Sequence, residues 1–213
     1  LVFSWPIGIG IHANHSSFTV KDTLGSKNFF YNLEYGIKAT AIAANRSIYT
    51  DKALFRNCLT GIYLSAMTRP KIWRSIFYIN PTDTTILKPY AGLYLDHCTD
   101  YSVTENSFKK GTLSFNPGNN SSVYRIGIVV NNSGTENNLI YNNIFRNLNI
   151  GILAQNRNRN SDGSKGLTIQ CNEFNAILND IVITAATSGS DKGIKENQGN
   201  GESAVTLANN IFS

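Results

Sequence analysis

A short unit recurs along this chain at a nearly constant interval, and it limits the fold more than any other feature of the sequence. Each copy has a glycine, an aliphatic residue, any residue, and then an aliphatic residue or alanine. Six copies begin at Gly10, Gly36, Gly61, Gly92, Gly127 and Gly151, and a seventh is Asp180-Ile181-Val182-Ile183. Successive copies are 24 to 35 residues apart. A repeat of this length predicts a solenoid, in which each repeat packs against its neighbours.

A second group of positions keeps a fixed distance from the first. A phenylalanine lies six residues before four of the copies, at Phe30, Phe55, Phe145 and Phe174, and Phe108 and Phe212 continue the series without a copy at that distance. Asparagine often stands two residues before the phenylalanine (Asn28, Asn106, Asn143, Asn172, Asn210) and two residues after it (Asn32, Asn57, Asn147). The third residue after it is apolar, at Leu33, Cys58, Leu148 and Ile177. Because these positions coincide in phase, they are predicted to stack from one repeat to the next.

The segments between these positions favour strands. They are short and β-branched, as in Leu167-Thr168-Ile169 and Val205-Thr206-Leu207, and the 213-residue chain contains 28 asparagines, which disfavour helices and suit turns. Strands that recur at constant phase without a crossover helix wind into stacked coils about 4.8 Å apart. We therefore predict an all-β fold, a parallel β-helix (solenoid) of about seven coils formed by residues 1–213 as a single domain.

The repeat also predicts which side chains meet. The first aliphatic residues (Ile37, Ile62, Leu93, Ile128, Ile152 and Ile181) are expected to form one buried column, and the phenylalanines a second. Asparagine at a turn is expected to form an amide ladder and to tolerate the left-handed backbone conformation. Glycine is expected either to adopt a positive φ or to allow two chains to approach closely.

The pattern Asn-x-Phe-x-Asn-x-x-x-Gly-Ile-x-Leu resembles the repeat of the right-handed parallel β-helix in the pectin-lyase-like superfamily, over nearly the whole chain. The resemblance implies a right-handed solenoid. It implies no single function, because that superfamily includes polysaccharide lyases, glycoside hydrolases, epimerases, phage tailspikes and non-catalytic surface proteins of bacteria.

Enzymatic motifs of that superfamily do not occur in the sequence. The polygalacturonase-like motifs Asn-Thr-Asp, Asp-Asp, Gly-His-Gly and Arg-Ile-Lys are absent. The weak catalytic candidates are Asp96, Asp100 and His97, in which two carboxylates stand four residues apart with a histidine between them. Hydrolysis with inversion needs two carboxylates about 6.5–9.5 Å apart that face one cleft, and a spacing of four residues across a turn does not establish this geometry. The acidic residues are too dispersed for a calcium site, and His12, His15 and His97 lack the spacing of metal ligands. We therefore predict no metal and no cofactor.

The long interval from Gly61 to Gly92 departs from the repeat. It is predicted to lack the phenylalanine column, and it is rich in basic and aromatic residues: Arg69, Lys71, Trp73, Arg74, Phe77, Tyr78, Lys88 and Tyr90. Aromatic rings stack on sugars and basic groups pair with carboxylates or sulfates, so one hypothesis is a site for an acidic glycan. The other is an enlarged coil in which Trp73 and Phe77 belong to the core and the basic residues to its solvated rim.

One residue of each glycine unit is predicted to point outward from the solenoid. These residues are Lys38, Tyr63, Tyr94, Val129, Leu153 and Val182, of which five are apolar or aromatic. A strand face in contact with water alone should be polar, so loops of this chain, another domain or a partner protein are expected to cover it. The predicted ligand-binding surface joins Tyr63 and Tyr94 to Trp73, Arg74, Tyr78 and Tyr90. Replacing Tyr63 and Tyr94 with serine is expected to weaken binding and preserve the fold.

Cysteines, charge and chain ends add further expectations. Cys58, Cys98 and Cys171 occupy different phases of the repeat, so they are predicted to be thiols without a disulfide. The net charge of +5 is scattered along the chain, which does not favour nucleic-acid binding, and the apolar runs are too short for a membrane helix. The chain starts and stops in mid-coil, which predicts a segment of a longer protein.

These observations leave two hypotheses about function. The first is a non-catalytic extracellular β-helix, an adhesin-like or spacer module of a bacterial secreted or cell-surface protein, with a polysaccharide as a candidate partner. By resemblance alone, an asparagine-rich repeat of this kind is also typical of cargo of the type IX secretion system. The alternative is a polysaccharide lyase or glycoside hydrolase of the pectin-lyase-like superfamily whose decisive residues lie elsewhere.

Overall fold

The described residues of this protein form three parallel β-sheets. The computed structural model describes residues 8–22, 28–42, 45–80, 90–111, 124–186, 188–189, 192–199 and 208–213. Sheet 1 contains β1 (Ile9–Asn14), β4 (Tyr35–Thr40), β7 (Thr60–Ser65), β10 (Tyr90–Asp96), β13 (Arg125–Asn131), β16 (Ile150–Gln155) and β19 (Asn179–Thr184). Sheet 2 contains β2 (Phe18–Lys21), β5 (Ile48–Asp51), β8 (Lys71–Trp73), β11 (Ser102–Thr104), β14 (Asn138–Tyr141) and β17 (Leu167–Gln170). Sheet 3 contains β3 (Asn28–Tyr31), β6 (Ala53–Arg56), β9 (Ile76–Tyr78), β12 (Ser107–Lys109), β15 (Ile144–Arg146), β18 (Glu173–Asn175) and β20 (Ile211–Phe212).

The strand order within each sheet defines a solenoid. Neighbouring strands of a sheet are separated by two other strands in the sequence, except β18 and β20, which are separated by β19 alone, and every pair is parallel. Each of the first six coils therefore contributes one strand to each sheet, and β19 and β20 belong to the seventh. The predicted all-β parallel β-helix is confirmed. Residues Lys88 and Val205-Thr206-Leu207, used in the sequence argument, lie outside the described residues.

The predicted aliphatic column lies in the core of sheet 1. Ile37, Ile62, Leu93, Ile128, Ile152 and Ile181 pair in register from strand to strand. All are buried except Ile181, which lies in the last strand of the sheet and is partly exposed. The seventh copy, although it lacks glycine, thus keeps the register of the repeat.

The phenylalanine column is longer than the sequence predicted. Phe30, Phe55, Phe77, Phe108, Phe145, Phe174 and Phe212 stack with ring centroids 4.6–5.4 Å apart and nearly parallel planes. The expectation that the Gly61–Gly92 coil lacks this column is wrong, because Phe77 pairs with Phe55 and Phe108. The register of parallel strands places Phe77, whereas the distance to the next glycine reflects the extra residues between β9 and β10.

Glycine in the repeat allows close approach between coils. The residues that begin the six copies are not among those with positive φ. A Cβ on Gly127 would lie 2.5 Å from the carbonyl oxygen of Gly151 and 2.7 Å from Cδ1 of Phe145, and other copies are similarly crowded. The glycine column and the phenylalanine column therefore depend on each other for space.

Replacing Gly127 with alanine is expected to lower the free energy of unfolding by about 1–3 kcal/mol, because the backbone of Gly151 cannot move aside without disturbing sheet 1. Chemical denaturation of the variant and the wild type measures the difference. Equal stability would show that the coils have room for a Cβ at this position.

The asparagines before the phenylalanines form a buried amide ladder. The Nδ2 group of Asn106 donates to Oδ1 of Asn143 at 3.0 Å, Asn143 donates likewise to Asn172 at 3.0 Å, and Asn172 to Asn210 at 3.2 Å. The predicted ladder is confirmed in these coils. Ser75 and Ala53 occupy the same position in earlier coils, where the Ser75 hydroxyl accepts a hydrogen bond from the backbone N–H of Ala53.

The asparagines after the phenylalanines adopt the left-handed backbone conformation, as predicted. Asn32, Asn57 and Asn147 have φ of 55–56° at the corner between sheets 3 and 1. The amide of Asn57 also donates to Oδ1 of Asn32 at 3.2 Å, so this corner carries a partial ladder of its own.

All three cysteines are free thiols. Cys58 packs in the core in the apolar column shared with Leu33 and Leu148, while Cys98 is fully buried and Cys171 partly exposed. Burial raises the pKa of Cys58 to about 11 and that of Cys98 to about 12. These two thiols therefore stay protonated near neutral pH and are poor nucleophiles.

Candidate functional site

The six residues predicted to bind a ligand do not form one surface. Tyr63 and Tyr94 point outward from sheet 1, whereas Trp73 ends a strand of sheet 2 and Tyr78 ends a strand of sheet 3. Arg74 follows Trp73 at the corner between sheets 2 and 3, and Tyr90 is fully buried. The expectation of a single lateral face is wrong, because two corners of the solenoid separate Tyr63 from Tyr78 within one coil.

The outer face of sheet 1 carries the predicted tyrosine pair. The rings of Tyr63 and Tyr94 lie 5.4 Å apart in adjacent strands, and Tyr35 contacts Tyr63 edge-on at 5.8 Å. Burial, followed by the nearby Asp96 carboxylate, raises the pKa of both Tyr63 and Tyr94. Further along this face Val129 is 2% exposed and forms a small apolar cluster with Ala91, Ile126 and partly buried neighbours. Ligand or partner binding at this face stays a prediction.

Tyr78 lies in a row of aromatic and cationic residues on sheet 3. Its ring is 5.8 Å from the guanidinium of Arg56 and 4.9 Å from the ammonium of Lys109. The register of β6, β9 and β12 places these three side chains in one outward column. Tyr78 thus serves as a cation–π partner of its own coil neighbours.

A groove crosses the outer face of sheet 2. Tyr49 on β5 and Lys71 and Trp73 on β8 point outward there, because side chains alternate along a strand and Ile72 between them is buried in the core. The groove has a volume of about 600 Å³ and is lined by Asn45, Ser47, Ile48, Tyr49, Thr68, Arg69, Lys71 and Trp73. A shallower hollow of about 170 Å³ shares Tyr49, Lys71 and Trp73 and continues across β11 to Ser102, Thr104 and Glu105.

The charges along this groove are predominantly positive. Arg69 and Lys71 are both exposed, and the guanidinium of Arg69 donates to the amide oxygen of Asn45 at 3.5 Å. Among the lining residues named above, Glu105 is the one carboxylate, and it lies at the far end of the shallower hollow. Two cations beside two aromatic rings form a surface suited to a polymer with anionic groups and flat apolar ring faces.

An ion pair lies next to the groove, where β5 and β8 end. Nε of Arg74 donates to Oδ1 of Asp51 at 2.8 Å, and Nη2 donates to Oδ2 at 2.6 Å, so the pair is bidentate. Asp51 is 2% exposed. The guanidinium of Arg74 also lies 3.7 Å from the centroid of the Trp73 ring. The hydrogen bond to Asp51 raises the pKa of Arg74, and burial followed by the Asp51 carboxylate raises the pKa of Tyr49.

Two of the weak catalytic candidates, Asp96 and His97, lie where sheet 1 ends, whereas Asp100 lies beside the groove, at the position equivalent to Arg69 in the next coil. Oδ1 of Asp96, at the end of β10, is 2.9 Å from Nδ1 of His97 and accepts a hydrogen bond from Asn131 at 2.9 Å. Asp100 is exposed on the following turn with φ of 57°. The Asp96 carboxylate therefore belongs to a polar row along sheet 1. A catalytic role for Asp96, His97 and Asp100 stays a prediction.

Two other kinds of feature are absent from the described part of the chain. Within those residues, no three or more His, Cys, Asp and Glu side chains group closely enough to hold a metal ion. The same residues contain no helix with the length and apolar character needed to cross a membrane.

Sequence reasoning found Trp73, Arg69 and Lys71 but missed Tyr49 and Asp51. Tyr49 lies in a regular coil, away from the irregular segment that drew attention, and Asp51 is a single carboxylate 23 residues from Arg74 in sequence. The pairing of β5 with β8 brings Tyr49 beside Lys71 and Asp51 beside Trp73.

In comparisons with known proteins, no family model, no curated protein and no solved structure matches this chain.

Proposed function

We propose that this protein is a non-catalytic β-helix module that binds an acidic polysaccharide in the groove on sheet 2. The observation that carries the proposal is the groove of about 600 Å³ in which Tyr49 and Trp73 lie beside Arg69 and Lys71. Aromatic rings accept the apolar faces of sugars, and the two cations attract carboxylate or sulfate groups. The continuation of the groove across β11 suits a ligand that extends along several coils.

We further propose a secreted or bacterial cell-surface location and membership of the pectin-lyase-like superfamily. Support comes from the Asn-x-Phe-x-Asn repeat, which resembles that superfamily, and from the three parallel sheets that its residues form. A rigid rod of stacked coils presents a ligand face at a fixed orientation, which suits an adhesin-like or spacer role.

Binding of defined polymers tests the proposal. We expect the protein to bind polygalacturonate or heparin, not neutral dextran, with an affinity that falls as salt rises because exposed charges are screened. Lys71→Gln and Trp73→Ala should each weaken binding by about fivefold to tenfold, the loss expected for one charge-assisted or stacking contact. Titration calorimetry measures the affinities, and release of reducing ends or unsaturated uronates is followed in the same samples.

Two control variants locate the binding face. Lys109→Gln removes the same charge from sheet 3 and should leave the affinity unchanged. The Tyr63→Ser, Tyr94→Ser double variant tests the surface predicted from the sequence. Loss of binding in either control, with normal binding by Lys71→Gln, would move the site away from the groove. Depolymerisation of any polymer would instead favour the lyase or hydrolase hypothesis.

A further inference from the structure

We propose that Arg74 and Asp51 are positioning residues: their ion pair fixes the indole ring of Trp73 as the stacking platform of the groove, and Arg74 does not itself pair with the ligand. This inference rests on the proposed function and assigns roles within its site. It differs from the prediction made from the sequence, in which Arg74 contacts the ligand directly.

The guanidinium of Arg74 is already committed within the protein. Both oxygens of Asp51 accept hydrogen bonds from it, at 2.8 and 2.6 Å. Because Asp51 is 2% exposed, removing its cationic partner would leave a buried carboxylate without compensation, which is strongly unfavourable. A ligand carboxylate or sulfate could form a bidentate pair through the Nε–Nη2 edge of Arg74 only by displacing Asp51 from it.

The same guanidinium covers one face of the indole ring. It lies 3.7 Å from the ring centroid of Trp73, a stacking distance at which a planar guanidinium is attracted to an aromatic face. Trp73 lines both the groove and the shallower hollow, whereas Arg74 lines neither. The guanidinium therefore covers one face of the ring without lining the groove, and the indole Nε1 is buried without a hydrogen-bond partner among the described residues, so the other parts of the ring line the groove.

The backbone holds the two partners of the ion pair in adjacent coils. Asp51 and Trp73 are directly paired residues of β5 and β8. Arg74 has φ of 47°, in the left-handed region, and its N–H donates to the carbonyl of Thr104 in the next coil at 3.2 Å. The side chain of Arg74 thus returns to the preceding coil from a fixed corner, so the orientation of Trp73 is set before any ligand arrives. A ring held in this way loses little conformational entropy on binding.

The ionic contacts of the groove then belong to other residues. Arg69 and Lys71 are exposed and line the groove directly. Loss of either should reduce the number of counterions released when a polyanion binds, and so reduce the dependence of affinity on salt. Loss of Arg74 should weaken binding through Trp73 without changing that dependence.

The test uses a Trp5→Phe background, in which Trp73 is the one remaining tryptophan. We compare Arg74→Gln, Arg74→Lys and Lys71→Gln, with Arg146→Gln as a matched control because Arg146 forms an exposed ion pair with Glu173 on sheet 3. Fluorescence emission and acrylamide quenching are measured without ligand, and affinity for polygalacturonate is measured at several salt concentrations. Thermal denaturation of each variant tests whether it is folded. If Arg74→Gln does not fold, Asp51→Asn replaces it in the comparison.

For Arg74→Gln we expect a red-shifted and more readily quenched Trp73 emission, an affinity about tenfold lower, and a wild-type salt dependence. Arg74→Lys keeps the charge but not the planar fork, so its fluorescence should change in the same direction. Lys71→Gln should reduce the salt dependence and leave the emission of the free protein unchanged, and Arg146→Gln should match the wild type.

Two results would overturn the inference while the proposed function survives. The first is a salt dependence of affinity that falls as much in Arg74→Gln as in Lys71→Gln. The second is a Trp73 emission and an affinity that are both unchanged in Arg74→Gln. Failure of the wild type to bind any anionic polymer would overturn the proposed function and, with it, this role of the ion pair. The two failures are distinguishable because the first occurs in a protein that binds polygalacturonate normally.

Discussion

Replacing Asn143 with alanine should lower the free energy of unfolding by about 3–5 kcal/mol, because several buried groups lose their hydrogen-bond partner at once. Oδ1 of Asn143 accepts from the backbone N–H of Asn106 at 2.9 Å and from its side-chain amide at 3.0 Å. Its Nδ2 donates to the carbonyls of Val103 and Tyr141 and to Oδ1 of Asn172. Asn143 has no exposed surface, so water cannot replace these contacts in the folded state.

Urea denaturation of the variant measures this effect, with Asn175→Ala as the matched control. Asn175 is an exposed asparagine at the end of β18, outside the ladder, and its replacement should change stability by less than about 0.5 kcal/mol. Similar small losses in the two variants would mean that the ladder satisfies backbone groups that water can reach anyway.

Truncation of Phe145 to alanine should be comparably damaging, at about 3–5 kcal/mol, because it opens a cavity in the middle of a continuous ring stack. The ring lies 5.1 Å from that of Phe108 and 4.9 Å from that of Phe174, and the side chain is fully buried. Each coil contacts only its neighbours, so a cavity here separates the coils before and after it. Phe145→Leu, which keeps part of the volume, should cost clearly less.

Phe29→Ala is the control for this prediction. Phe29 precedes the stacked Phe30, but its side chain points outward from sheet 3 and is 66% exposed. Its removal should therefore have a small effect in the same thermal and chemical denaturation experiments. A loss for Phe29→Ala that equals the loss for Phe145→Ala would show that the stack is no more tightly packed than the surface.

The repeat allowed most of the fold to be predicted because the coils of a parallel β-helix align equivalent residues directly. Aliphatic, phenylalanine and asparagine columns follow from that alignment, and Ile152 and Asn143 occupy the predicted places. Sequence spacing failed to predict that Phe77 belongs to the phenylalanine column. Its distance in sequence from Gly92 includes an insertion, and strand pairing ignores the length of the connection between strands.

The candidate site depended much more on tertiary structure. Composition singled out Trp73 and Arg74, since basic and aromatic residues concentrate in one irregular interval. The three sheets then distributed that interval over different faces, so Tyr78 points away from Trp73 and Tyr90 is buried. A linear spacing does not indicate at which residue the chain turns a corner.

The sequence by itself determined the period, the core columns and the positions where asparagine and glycine are required, because each of these is a property of one residue repeated along the chain. Only the tertiary structure decided which outward side chains share a face and which cation is paired with a buried carboxylate. Tyr49 and Asp51 join Lys71, Trp73 and Arg74 through the register of β5 with β8. That register depends on hydrogen bonds between strands more than 20 residues apart in sequence. The pairing of β5 with β8 therefore both forms the groove and brings Asp51 within hydrogen-bond distance of Arg74.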